Sequence, residues 1–230
     1  DVAGFTIAET DGSTGVTEAG STDLFTVVLT GRPITDVAFS ISSSDLTETS
    51  VTNSLTFTSE NWNTPQNVTV TGVDDDIIDG TQTSTITVSI IDGISDNAFD
   101  AVADQTVSVT TTDDDVAGFT IAETDGSTSV TEAGSTDLFT VVLNAQPTTD
   151  VVVQFVSADT GEVTVTSLLT FTSANWDTAQ TVTVTGVDED FVDQDQTTII
   201  TASILDVSSD DNFDAVADQT VSVTTTDDDV

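Results

Sequence analysis

The sequence predicts an all-β chain made of two tandem antiparallel β-sandwiches joined by a short acidic linker. Three observations predict it. The first is repetition: Asp1–Thr10 returns unchanged at Asp115–Thr124, the register then holds without insertion, and about 80 of some 114 positions are identical. The second is alternation of apolar residues with Thr, which makes up about a fifth of the chain and is β-branched and polar, suiting the wet face of a strand. The third is punctuation: turn clusters interrupt the alternation at short intervals, and no stretch sustains a helical period. The repeat length is that of one sandwich domain, giving units 1–114 and 115–230.

Each expected strand follows from its own pattern. Gly4 to Ile7 opens the unit, and Phe25-Thr26-Val27-Val28-Leu29 follows the Asp11-Gly12-Ser13 turn. Val37 to Ile41 begins after Gly31-Arg32-Pro33. Leu55-Thr56-Phe57-Thr58 and Val68-Thr69-Val70-Thr71 come next. Ile86-Thr87-Val88-Ser89-Ile90 starts beyond Asp79-Gly80, and Val107-Ser108-Val109-Thr110 beyond Ser95-Asp96-Asn97. Each has a counterpart in the second copy, such as Val182-Thr183-Val184-Thr185. About seven short alternating strands per unit read as an immunoglobulin-like sandwich, with a small closed barrel as the nearest competitor. The junction Thr111-Thr112-Asp113-Asp114-Asp115-Val116 has no Pro and no Gly/Ser tract. Its adjacent carboxylates repel one another and favour an extended linker. Both ends of the chain cut through this repeat boundary, as in a piece of a longer array, and like-charged flanks favour units laid end to end.

A formal charge of −40, with Arg32 as the one basic residue, excludes several function classes. Such a surface repels nucleic acid and anionic membranes, and nothing reads as a membrane span. Self-repulsion destabilises the compact state unless cations gather on it. Runs rich in Val, Ile, Leu and Phe argue against the disorder that acidity otherwise implies. With no His, Cys or Lys, most nucleophile–base arrangements are out of reach, and no cleft with a desolvated acid is marked, so the chain is not expected to be an enzyme.

Acidic residues gather at three places in each copy: Glu18; Asp74, Asp75, Asp76 and Asp79; and Asp113, Asp114 and Asp115. The second copy presents Glu132; Asp188, Glu189, Asp190 and Asp193; and Asp227, Asp228 and Asp229. The second and third clusters each follow a strand end, and such ends can meet at one pole of a sandwich. Converging carboxylate oxygens suit Ca²⁺, which takes six to eight oxygen ligands in a tolerant geometry; Mg²⁺ keeps its waters, and zinc and copper lack His or Cys to hold them. The run from Asp74 starts like an EF-hand loop but has Thr85 where a bidentate Glu would sit.

Val16-Thr17-Glu18-Ala19-Gly20, Val70-Thr71-Gly72-Val73-Asp74-Asp75-Asp76-Ile77-Ile78-Asp79 and Val107-Ser108-Val109-Thr110-Thr111-Thr112-Asp113-Asp114-Asp115 resemble the motifs of a Calx-β domain. The resemblance implies an immunoglobulin-like sandwich with calcium ligands at one pole. It places an early Glu ligand on Glu18, inter-strand ligands on Asp74, Asp75, Asp76 and Asp79, and a terminal triplet on Asp113 to Asp115. Two positions depart: Gln82 stands where calcium-binding members often carry an acid, and the Asp45 region offers no clear counterpart of their mid-domain Asp. The texture of long Thr/Val/Asp-rich repeats also resembles the extender regions of large bacterial surface adhesins. That resemblance implies a secreted, cell-surface, monomeric spacer whose partners are calcium ions and the neighbouring repeats of its own chain. Two other readings stay open, a calcium-dependent glycan- or protein-binding module and a regulatory calcium sensor.

Acid runs at domain edges are ordinarily solvated loops. Trp62 and Trp176 are the only tryptophans, and they read as plugs over a sandwich edge before they read as sugar platforms. Phe99 and Phe213 read as core anchors. Asn67-Val68-Thr69 matches a glycosylation sequon but falls in an expected strand, and Thr181 replaces the Asn in the second copy.

Overall fold

A computed structural model describes residues 2–190, 192 and 194–229 of the chain. It divides into two compact units, one of Asp1–Asp75 with Asp79–Asp114, the other of Asp76–Ile78 with Asp115–Val230. Among the described residues no helix is long and apolar enough to cross a membrane.

The first unit runs β1 (Phe5–Glu9), β2 (Thr14–Thr17), β3 (Thr22–Leu29), β4 (Val37–Ser43), β5 (Thr49–Val51), β6 (Ser54–Phe57), β7 (Gln66–Gly72), β8 (Gln82–Ile90) and β9 (Gln105–Thr112). They form two separate sheets, β1-β3-β7-β5 and β2-β9-β8-β4-β6, so the unit is a sandwich and not a closed barrel. The nine strands exceed the seven expected because β2 and β5 are too short for alternation to declare them. All pairings are antiparallel except β2 with β9, which run parallel.

Alternation decides what is buried. Phe25, Val27 and Leu29 of β3 face Phe39 and Ile41 of β4, with Val68, Val70, Ile86, Val88, Val107 and Val109 completing the core. Thr and Ser occupy most of the intervening positions and meet water. Phe99 is buried, and Trp62 packs partly buried against the same core, while its carbonyl accepts the N–H of Leu29. The tryptophan is therefore a plug. Asn67 lies within β7.

The second unit repeats this with β10 (Phe119–Glu123), β11 (Thr128–Thr131), β12 (Thr136–Leu143), β13 (Val151–Ser157), β14 (Val163–Val165), β15 (Leu168–Phe171), β16 (Gln180–Gly186), β17 (Gln196–Ile204) and β18 (Gln219–Thr226). Its sheets are β10-β12-β16-β14 and β11-β18-β17-β13-β15, with β11 parallel to β18. Phe213 is buried and Trp176 packs on the core.

Candidate metal centre

Three strand registers bring the acids of the first unit to one place. The parallel pair ends with Thr17 opposite Thr112, so Glu18 and Asp113 leave the sheet side by side, and the Glu18 N–H donates to the Thr112 carbonyl. Gln82 opposite Thr111 starts β8 beneath them, and the Gly80 N–H donates to Asp113 Oδ2 at 2.7 Å. Thr49 opposite Gly72 sets Glu48 beside the end of β7, where its carbonyl accepts the N–H of Val73.

The turn after Glu18 is held tightly. Gly20 has φ 83°, and its N–H donates to the Thr17 carbonyl. A Cβ on Gly72 would stand 2.0 Å from the Thr17 carbonyl oxygen, and one on Gly186 would stand 2.1 Å from that of Thr131. Only glycine permits this approach, which presses the Glu18 turn against the end of β7.

Carboxylate oxygens of Glu18, Glu48 and Asp79 lie within 4.8 Å of one another, and an oxygen of Asp113 comes within the same distance of Glu18. Glu18 is only 1% exposed, and neither carboxylate oxygen receives a hydrogen bond. Glu48 is also buried, with Oε2 in the same condition. Below them, Thr111 Oγ1 is buried without a partner. Burial first, then the charges of Asp113, Glu48, Asp75 and Asp79, pushes the Glu18 pKa up to about 7. Burial, followed by Asp79, Asp45, Asp75 and Asp113, raises that of Glu48. Two like charges 4.8 Å apart repel by about 3 kcal/mol at an effective dielectric of about 20.

The second unit builds the same pole with altered carboxylates. Oxygens of Glu132, Glu162 and Glu189 lie within 4.8 Å of one another, as do those of Glu132, Asp227 and Asp229. Thr131 opposite Thr226 again sets Glu132 beside Asp227, and the Gln194 N–H donates to Asp227 Oδ2 at 2.8 Å. Asp229 Oδ2 is buried without a hydrogen bond; burial, then Asp190, Asp227, Asp228 and Asp188, raises its pKa.

The expected ligands are thus sorted by strand alternation. Asp227 and Asp229 continue the inward face of Thr225, whereas Asp228 is exposed; Asp113 continues that of Thr111, and Asp114 is exposed. Asp75 is partly buried near Glu18, while Asp74, Asp76, Asp188 and Asp190 point outward. Asp115 is partly buried and is counted with the second unit. Asp193 lies outside the described residues. Glu48 and Glu162 do not stand out as acid runs in the sequence because each stands alone. The signal available was that Glu persists while Leu46, Thr47 and Thr49 around it become Thr160, Gly161 and Val163.

No family model matches the chain, and no curated protein matches it. Among solved structures it is similar to the calcium-binding domain pair CBD12 of CALX1.1, at 18% identity over 86% of this chain and 79% of that one, with a TM-score of 0.36. CBD12 from CALX1.2 gives 15% identity over 95% and 99%, with a TM-score of 0.37. Domains 4 and 5 of the S-layer protein SbsC give 20% identity over 82% and 76%, with a TM-score of 0.38.

Proposed function

We propose that each unit binds Ca²⁺ at this pole and that the chain serves as a pair of Calx-β-like extender repeats of a secreted cell-surface adhesin. The observation that carries the calcium reading is Glu18: a buried carboxylate with no hydrogen-bond donor, ringed by Glu48, Asp79 and Asp113. Arg32 is the chain's single basic side chain, and its Nε is engaged with the Ser59 carbonyl. Protein groups therefore do not neutralise the cluster. A hard cation would, and the all-oxygen donor set suits Ca²⁺.

Glu18, Glu48, Asp79, Asp75 and Asp113 would hold the ion in the first unit, and Glu132, Glu162, Glu189, Asp227 and Asp229 in the second. The ion removes the repulsion between β-strand ends that converge there, so folding and binding are coupled. A spacer built from such units stiffens in extracellular calcium, and its partners are the neighbouring repeats. Near-identity of the two copies favours this role over a sensor.

Thermal unfolding in millimolar Ca²⁺ against excess chelator tests the reading. Ligand at a thousand times its Kd stabilises a unit by about 4 kcal/mol, so the melting temperature should fall by many degrees on chelation. An unchanged melting curve would reduce the acids to solvated loops.

A further inference from the structure

The two units diverge on one outward face, and the divergence favours apolar residues. Alternation turns Val152, Gln154 and Val156 of β13, Leu168 of β15 and Ile199 of β17 to the outside of the second unit's five-stranded sheet. The register sets their neighbours. Leu168 stands opposite Gln154 and so lies diagonal to Val152 on one side and Val156 on the other. Val156 stands opposite Thr201, which puts Ile199 on its diagonal. Leu205 donates its N–H to the Val152 carbonyl at the far end. Diagonal neighbours on one face are about 7–8 Å apart, within reach of long side chains.

Leu205, Val152, Leu168, Val156 and Ile199 therefore form one apolar strip around Gln154. Val156 is 51% exposed, Leu168 47% and Ile199 39%. The first unit carries Ile91, Ala38, Ser54, Ser42 and Thr85 at the same positions. Singly exposed aliphatics are ordinary, but a contiguous strip on a face otherwise made of Thr and Ser marks a contact surface.

Two further features say what fits it. A cavity of about 240 Å³ opens beside Val156, lined by Phe155, Val156, Ser157, Thr160, Thr164 and Val165. It lies between β13 and β14, which belong to different sheets, and can receive an apolar side chain. Exposed carboxylates stand at both ends of the strip, Asp150 and Asp206 at one and Asp159 at the other. A second copy would bring the same negative charge to the same face, which opposes self-association. We infer that this face docks an extended segment of a different protein that carries aliphatic residues at every second position and Lys or Arg at its two ends. The aliphatic side chains lie on the strip and in the cavity, and the cations meet the flanking carboxylates.

The test uses the full chain, ¹⁵N-labelled, titrated with a short Leu–Lys peptide in which Leu alternates with Ser and Lys stands at both ends. Amides of β13, β15 and β17 should shift, with a weaker response to a Ser–Lys peptide that has Ser in place of every Leu and the same Lys ends. The triple variant Val156→Ser, Leu168→Ser, Ile199→Thr installs residues that the first unit already carries, so its melting temperature should match the parent's. Its affinity for the Leu–Lys peptide should drop by about tenfold or more. Equal affinity in the variant, equal response to Ser–Lys, or equal shifts around Ser42, Ser54 and Thr85 would overturn the proposal. Sedimentation showing a dimer that the triple variant abolishes would overturn it in favour of a second copy.

Discussion

Glu18 and Asp96 are both buried carboxylates of the first unit, and their surroundings are opposite. Asp96 Oδ2 accepts the N–H groups of Ile34 at 2.6 Å and Thr35 at 3.0 Å, and its Oδ1 accepts that of Ala98 at 3.0 Å. Those bonds, from Thr35 first, then Ala98 and Ile34, outweigh burial and hold its pKa below the ordinary value. Glu18 has no donor, and its pKa moves the other way. Acidity and burial alone do not separate the two. The presence of donors does: Asp96 pins the loop entering β4, whereas Glu18 leaves oxygens whose desolvation the fold does not offset.

The largest expected effect lies on the satisfied side of this contrast. Asp210, the second unit's counterpart of Asp96, accepts from the Thr148 N–H and hydroxyl, the Thr149 N–H and the Asn212 N–H. Asp210→Ala leaves these donors unanswered and should cost about 3 kcal/mol, read as a lower urea midpoint with or without calcium. Asp96→Ala should act in the same direction. A loss confined to the calcium-loaded chain would instead make Asp210 part of a cation site.

Glu18→Gln should behave in reverse. In chelator it removes one charge from the cluster and supplies amide donors, raising stability by about 1–2 kcal/mol after screening. In calcium it should remove part of the stabilisation. The pH dependence of the ion-free chain follows the same division. The raised Glu18 pKa means that the folded state holds this proton more tightly than the unfolded state. Its contribution is therefore present below the ordinary carboxylate value of 4.5 and is lost as pH rises through about 7. Asp96 and Asp210 have lowered pKa values, so their contributions are present above 3.8 and are lost as pH falls through the folded values. Stability in chelator should thus increase from pH 7 toward 5 and fall at strongly acid pH; a flat profile between 7 and 5 would contradict the burial of Glu18.

Sequence alternation revealed the long strands because a half-buried sheet writes its two faces into successive residues. It did not reveal β2 and β5, of four and three residues, and those are the strands that build the acidic pole. Thr14-Gly15-Val16-Thr17 shows its role only through a parallel pairing with β9, some 95 residues later. Thr49-Ser50-Val51 shows its role only through β7, which carries Glu48 to Val73. Acid runs were legible as runs, but which carboxylates turn inward depended on register. Core packing was less legible still. Phe39, Ile41 and Val88 of the first unit become Val153, Phe155 and Ala202 in the second, moving an aromatic ring two residues along the strand while the pairing stays the same. Phe39 meets Phe5 and Phe57 edge-on, whereas Phe155 meets Phe139. The ring is kept while its location moves, and Val88 shrinks to Ala202 opposite the position that gains it, as expected of cores that tolerate compensated swaps.

The smallest effect sharpens the contrast within the satisfied acids themselves. For Asp210, burial alone would raise the pKa, and the Thr148 hydroxyl is the first of the bonds that overcome it. That hydroxyl donates to Asp210 Oδ2 at 2.6 Å, whereas the first unit has Ile34 at the same position, 91% exposed and without a hydroxyl to give. Thr148→Ile should therefore cost about 1 kcal/mol, the net worth of one partly solvated bond to a charged acceptor. It should also move the Asp210 pKa upward, toward the ordinary value, when followed by carboxyl NMR. The reciprocal Ile34→Thr should lower the Asp96 pKa further and remove an exposed aliphatic side chain. If both substitutions leave the two carboxyl titrations where they were, the backbone N–H groups alone set these acids, and the hydroxyl is incidental.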